Sequence, residues 1–144
     1  MEQITACLDS NIYISAVAFG GKPLKIVERA LNREFFLVTS PHILQEVRRN
    51  LLGKLGLEKL RVDQFLADIT EISSVFVPSG KVRFIKHDGD NLVLELALTG
   101  GCDVLVTGDK KHLLPLKDFQ GVVIEPPSAF LMRLDSLSPP KPAK

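Results

Sequence analysis

Five short runs rich in β-branched and aromatic residues punctuate this chain, and longer segments with apolar residues every three or four positions lie between them. The runs are "ITACLD" (residues 4–9), "FFLVTS" (35–40), "SVFVPS" (74–79), "DVLVTG" (103–108) and "VVIEP" (122–126). Most end in turn residues, as strands do. Several are apolar without strict alternation, which suits strands covered on both faces. Helical patterns fill the intervals. "PLKIVERALN" puts Leu24, Val27, Ala30 and Leu31 on one face. "SPHILQEVRRNLLG" opens with Ser40 able to cap and Pro41 suited to the first helical position, and Gly53 is a stop. "EKLRVDQFLADITEI" repeats at Leu60, Phe65, Leu66 and Ile69. "DNLVLELALTGG" runs from Asp90 into two glycines, and "PSAFLMRL" is a short terminal helix. Strands alternating with helices, without internal repeats, predict βαβ units: an α/β fold with a mainly parallel sheet between helices.

The 144 residues allow one domain with a real core. We expect it to span residues 1–136, followed by a disordered Pro/Lys tail over 137–144, where "SPPKPAK" has nothing to bury. A formal net charge of +1 argues against a binder held by overall charge, though a local basic patch can still meet nucleic acid. The two cysteines, Cys7 and Cys102, lie in apolar runs and read as buried free thiols. No apolar run approaches a membrane span, and the N-terminus has neither the basic start nor the apolar stretch of a signal peptide. Cytoplasm and no membrane association are the expectation.

In a parallel sheet, the working edge lies beyond the carboxyl ends of the strands. Asp9 follows the first run and Asp109 follows the fourth. Glu46 sits about one and a half turns into the helix after "FFLVTS". Asp90, in "KHDGDN", stands at the entrance of another helix. Four carboxylates at one edge repel unless protons or cations neutralise them. Hard divalent cations take oxygen ligands, which makes Mg²⁺ or Mn²⁺ the natural counter-ion. Each acid also has a plainer reading. Asp9 can cap a turn, Asp109 can cap the turn before Lys110, and Glu46 can face water beside Arg48 and Arg49. His42, His87 and His112 lack the paired spacing of a zinc site and read as loop or surface residues. Glu95 reads as an exposed helix position and Asp103 as surface. Arg48, Lys110 and Lys111, with Arg49 and Lys54, could line a phosphate track or simply be solvated.

Taken in order, "LDSN", the glutamate of "SPHILQEVRRNL", the acid of "HDGDNLVLELAL" and the segment "DVLVTGDKKHLL" resemble the PIN-domain ribonucleases, up to about Phe130. The resemblance is nearest to toxin components of toxin–antitoxin pairs. It implies a three-layer α/β/α sandwich with a five-stranded parallel sheet and a Mg²⁺- or Mn²⁺-dependent endoribonuclease. Asp9, Glu46, Asp90 and Asp109 would be its catalytic and metal-holding acids, with Asp9 and Asp109 as primary ligands. Ser10 stands where the family usually has threonine. With Asn11 and Thr107 it would orient ligands or water. Hydrolysis by metal-activated water predicts 5′-phosphate and 3′-hydroxyl products. The implied partners are RNA, single-stranded, a cognate antitoxin and a second copy of the chain. One segment departs from the family: "HDGDN" replaces a pattern like "DPDDN". Asp90 carries over because it precedes "NLVLELAL". Asp88 is the alternative, and we expect it to cap the helix starting near Gly89. Two other readings stay open: a non-catalytic PIN-like module that binds RNA or protein, and a phosphatase- or receiver-like domain with Asp9 as nucleophile. The latter usually needs a further acid beside that aspartate, where this chain has Ser10 and Asn11.

Overall fold

The computed structural model describes residues 3–137. Its first half runs β1 (Thr5–Leu8), α1 (Ser10–Phe19), α2 (Gly21–Leu31), β2 (Phe36–Thr39), α3 (Pro41–Gly53), α4 (Lys59–Ile72) and β3 (Ser73–Val75). Then come α5 (Asp88–Thr99), β4 (Val104–Val106), a 3-10 turn at Leu114–Leu116, β5 (Asp118–Phe119), β6 (Val122–Glu125) and α6 (Pro127–Leu137). Of the expected tail, Leu137 closes α6, and residues 138–144 lie outside the described residues.

The strands form one sheet in the order β3-β2-β1-β4-β6-β5. β1 is central: Cys7 is in register with Val38 of β2 on one side and Leu105 of β4 on the other, both parallel. The chain moves one way along the sheet from β1 through β2 to β3. It then returns through α5 to β4 on the far side of β1. With right-handed crossovers, that reversal puts α5 on the opposite face from the first four helices, giving three layers. It also makes the gap beyond β1 and β4 the switch point where such sheets bind ligands. Both central strands are buried throughout their buried-face residues Ala6, Cys7, Leu8, Val104, Leu105 and Val106. α5 lies very close to the sheet at its end. A Cβ on Gly100 would come within 2.6 Å of Val38 Cγ1, so only glycine fits there without displacing β2.

The five expected strands are present and mutually parallel, but the sheet has six strands, so the five-stranded expectation is corrected. The addition is β5, antiparallel to β6 through a two-residue turn at Gln120 and Gly121. Both turn residues have positive φ, 49° and 89°, as a tight hairpin with native twist requires. A strand of two residues is too short to show alternation. α1 also goes unannounced in the sequence. Its sequence "SNIYISAVAF" is apolar on nearly every side, so no stripe repeats. α3 is capped as expected, with Ser40 Oγ accepting from the Ile43 N–H at 3.2 Å and Pro41 in the first turn.

Cys7 and Cys102 are buried and free. Burial pushes the Cys7 thiol well above its ordinary value and the Cys102 thiol up to about 12. Both are therefore neutral at pH 8, and the thiolate is the reactive form. In the native protein each should react with a disulfide reagent on the order of a hundredfold or more slower than in denaturant, because attack requires local opening. Stoichiometric labelling of either cysteine within the mixing time at pH 8 would contradict this packing.

Candidate active site

Beyond the end of β1 the chain turns sharply, and Asp9 does three jobs there. Its backbone N–H donates to Val106 O at 2.9 Å, extending the pairing with β4. Its Oδ1 accepts from Ser10 N at 2.8 Å, capping α1. Its Oδ2 accepts from Thr107 Oγ1 at 2.9 Å. Thr107 in turn accepts from the Asp109 N–H at 3.0 Å, so one hydroxyl joins the residues that follow β1 and β4. Asp109 Oδ1 accepts from the N–H groups of Lys111 and His112, at 3.0 and 3.1 Å. Asp109 thus holds its turn with one oxygen, and the other, Oδ2, lies 3.5 Å from His112 Nδ1.

The other two acids come from helices. Glu46 on α3 receives the Ser10 hydroxyl at Oε1, while its Oε2 lies 3.9 Å from His42 Nε2. Asp90 lies in the first turn of α5. That turn is fixed by Asn91, which is 2% exposed. Asn91 Oδ1 accepts from Phe84 N and Ile85 N, both at 2.9 Å, and its Nδ2 donates to Ile85 O at 2.8 Å. The clamp ties the segment before α5 to the helix. Sequence reasoning gave Asn91 no role; a lone amide heading an apolar helix was the available signal.

Asp9, Ser10, Asn11, Glu46, Asp90 and Asp109 line one cavity of about 130 Å³, with His42 and Ile43 also at its wall. Four acids, two on helices and two in the turns after β1 and β4, therefore line one cavity. Burial, aided by the nearby charges of Asp90 and Glu46, holds the Asp9 carboxyl above its ordinary value, against the hydrogen bonds from Thr107 and Ser10. Burial first and Asp109 second raise the Asp90 carboxyl, against the opposing pull of His112 and His87. A wider depression of about 740 Å³ beside α2 and α6 holds no such cluster; Arg29 and Asp135 in it pair directly at 2.7 Å.

The remaining expectations divide. Thr107 bonds to Asp9 and Ser10 to Glu46, while Asn11 is exposed at the cavity mouth. Arg48 pairs with Asp63 at 2.9 Å across α3 and α4, outside the cavity lining. Lys110 and Lys111 are exposed beside Asp109. Glu95 is not a free surface residue: its carboxylate accepts from Ser79 N at 2.6 Å and Gly80 N at 3.2 Å. The expected cap at Asp88 is corrected. α5 begins at Asp88 itself, His87 occupies the cap position, and no side chain caps it. The Asp88 side chain is 79% exposed, 3.6 Å from Arg83 Nε. His87 is an exposed loop residue as expected, whereas His42 and His112 lie against the acids. His42 is four residues before Glu46, and His112 is three after Asp109, with Nδ1 3.5 Å from Oδ2 of both Asp90 and Asp109. The His87 ring packs on His112, centroids 3.5 Å apart. Spacing along a helix and past a turn was the missed signal. Among the described residues, Asp90, Asp109 and His112 form a group whose donor atoms all lie within 4.8 Å of one another.

A family model describing the PIN domain matches residues 5–111. Among solved structures, VapBC2 from Rickettsia felis, bound to a DNA fragment from their promoter, superposes with a TM-score of 0.61 at 14% identity, over 85% of this chain and 98% of that one. VapBC-1 from nontypeable Haemophilus influenzae gives 0.59 at 17% identity, over 87% and 99%. At these identities the likeness is one of fold. Comparison with curated proteins finds no significant match. No helix among the described residues is long and apolar enough to cross a membrane.

Proposed function

This chain belongs to the PIN domain family, and from that membership we propose that it is a Mg²⁺- or Mn²⁺-dependent endoribonuclease that hydrolyses phosphodiester bonds of single-stranded RNA. The observation that carries the reading is the meeting of Asp9, Glu46, Asp90 and Asp109 in one small cavity, with two of them held above their ordinary range. A divalent cation fits this donor set: oxygens dominate, the cluster is crowded with negative charge, and Asp109 Oδ2 takes no part in the hydrogen bonds of its own turn. When bound, the ion supplies Lewis acidity, acidifying water and neutralising charge on the phosphate. The protein supplies position. Thr107 and Ser10 N fix both oxygens of Asp9, Ser10 Oγ fixes Glu46, and Asn91 fixes the turn that carries Asp90. Asn11, at the rim, can hold a substrate oxygen or water. Lys110 and Lys111 beside Asp109 can meet the flanking phosphates.

The resemblance to toxin components and the fold shared with the VapBC structures support a toxin held by a cognate antitoxin, with a second copy of the chain as a further partner. Two buried free thiols fit the reducing cytoplasm.

The test is binding together with cleavage. Mn²⁺ should raise the melting temperature by mass action, and a mixed RNA pool should yield 5′-phosphate ends in its presence. Asp9→Asn should weaken Mn²⁺ binding. Without metal, the same variant should melt a few degrees above wild type at pH 7.5. The sign follows from the raised carboxyl. The native state takes up a proton more readily than the unfolded chain, so the ionised Asp9 subtracts stability at neutral pH. That penalty shrinks as pH falls through the raised value and is gone below about 3.9, the ordinary value of an unfolded aspartate. The advantage of the variant should close over the same range. Wild-type protein that binds no Mn²⁺ at millimolar concentration would turn the reading toward a non-catalytic binding module.

A further inference from the structure

His112 has two attachments to the acidic centre. Its backbone N–H donates to Asp109 Oδ1 at 3.1 Å, which fixes where the residue sits. Its ring nitrogen Nδ1 stands 3.5 Å from Asp90 Oδ2 and 3.5 Å from Asp109 Oδ2. Those separations exceed the roughly 2.7–3.2 Å of a hydrogen bond to nitrogen, so the imidazole bonds to neither carboxylate. They approach another arrangement. Cis donors about 2.1–2.2 Å from one octahedral ion lie about 3.0–3.1 Å apart, a few tenths of an ångström inside these separations. The nitrogen and one oxygen from each carboxylate all lie within 4.8 Å of one another, and the His87 ring, tilted 37° against His112 at 3.5 Å, limits where that imidazole can turn.

We infer that His112 is a nitrogen ligand of this centre, beside Asp90 and Asp109, and that it makes the site select a transition-metal ion such as Mn²⁺ over Mg²⁺. The inference rests on the metal-dependent reading above and sharpens it. The chemistry is one of donor type. Mg²⁺ is hard, dehydrates reluctantly and prefers oxygen, whereas divalent first-row transition ions accept imidazole readily. A site of carboxylates alone discriminates little between Mg²⁺ and Mn²⁺; one imidazole tips the balance. The residue was set aside in the sequence because its spacing matches no two-histidine motif. A single histidine three residues past a site aspartate needs no such motif.

The experiment uses the full chain with Mn²⁺ and Mg²⁺ as separate probes, with binding measured by calorimetry and Mn²⁺ also by pulsed electron paramagnetic resonance. The wild type should bind Mn²⁺ on the order of tenfold or more tighter than Mg²⁺, and its Mn²⁺ signal should carry nitrogen-14 modulation. His112→Ala and His112→Gln should lose that modulation and most of the Mn²⁺ preference, while Mg²⁺ affinity changes by about twofold or less. His87→Ala and His42→Ala should keep the modulation, which assigns the nitrogen to one ring. Circular dichroism checks that each variant is folded, and the glutamine variant retains bulk and polarity at the position. If Mn²⁺ binds without nitrogen modulation, or the modulation survives both His112 variants, the inference is overturned while the metal-dependent reading stands. If neither ion binds the wild type, both fall.

Discussion

Asp90→Ala should slow RNA cleavage in Mn²⁺ by a factor on the order of a hundred or more, while Asp88→Ala cuts at close to the wild-type rate. The two aspartates are separated by one glycine, yet the fold treats them differently. Asp90 leans into the acid-lined cavity with its Oδ2 toward His112 and Asp109, and Asn91 pins the turn that presents it. Asp88 points to solvent beside Arg83. Their effects on stability should differ as well. Removing Asp88 forfeits only the favourable interaction of an acid with the first turn of a helix, about 0.3–1 kcal/mol. Removing Asp90 relieves a carboxylate that burial and Asp109 already disfavour, so the metal-free variant should melt at or above the wild type at neutral pH. Unfolding midpoints and cleavage of a mixed RNA pool, measured on both variants, decide the assignment. An inactive Asp88→Ala with an active Asp90→Ala would reverse it.

The largest loss of stability should come from Phe130→Ala, about 3–5 kcal/mol. Phe130 is fully buried on α6 and meets Phe35, just before β2, edge to face with ring centroids 5.1 Å apart and planes at 85°. That pair contributes about 0.5–1.5 kcal/mol beyond its buried area. Leu134, 3% exposed, is the other buried apolar anchor of α6, and the polar ties lie nearer the surface. Arg133 forks onto Glu125 with two bonds of 2.9 Å, and Arg29 reaches Asp135 at 2.7 Å. Neither fills the space an absent ring leaves. Against a typical total of roughly 5–15 kcal/mol, this is a large share. Urea unfolding should show a lower midpoint with little change in slope. A shift worth less than about 1 kcal/mol would mean that α6 contributes little to the core.

Much of this architecture was readable because its signals are local. The cap at Ser40 and the proline after it mark α3 before any fold is known. The apolar runs locate β1, β2, β4 and β6 because strands buried on both faces need no polar alternation, while the edge strand β3 has no buried residue. Parallel order then brings Asp9 and Asp109 to one edge as a matter of topology. The rest failed for physical reasons. α1 is packed or lipophilic on almost all sides, with even exposed Phe19 apolar, so periodicity is silent. β5 is held by its neighbour and by a turn of two positive-φ residues, a tertiary choice that two residues cannot announce. The cap at Asp88 failed because α5 begins one residue earlier than its pattern indicates. His42 and His112 escaped because their meaning depends on which turn brings them back to the acids, and that lies in the chain path rather than in a motif.

The hydroxyl of Thr107 joins Asp9 across 98 residues of sequence. During synthesis, β1 leaves the ribosome well before its neighbour β4 and that hydroxyl. A nascent chain that stops short of β4 carries Asp9, Glu46 and Asp90 yet has no fourth acid and no Thr107 hydroxyl to hold Asp9 Oδ2, leaving only the Ser10 N–H on Oδ1. Such long-range closure delays assembly until β4 and Thr107 have been made. On the ribonuclease reading proposed above, this timing is protective: the growing polypeptide would stay harmless to the messenger being translated until that strand emerges.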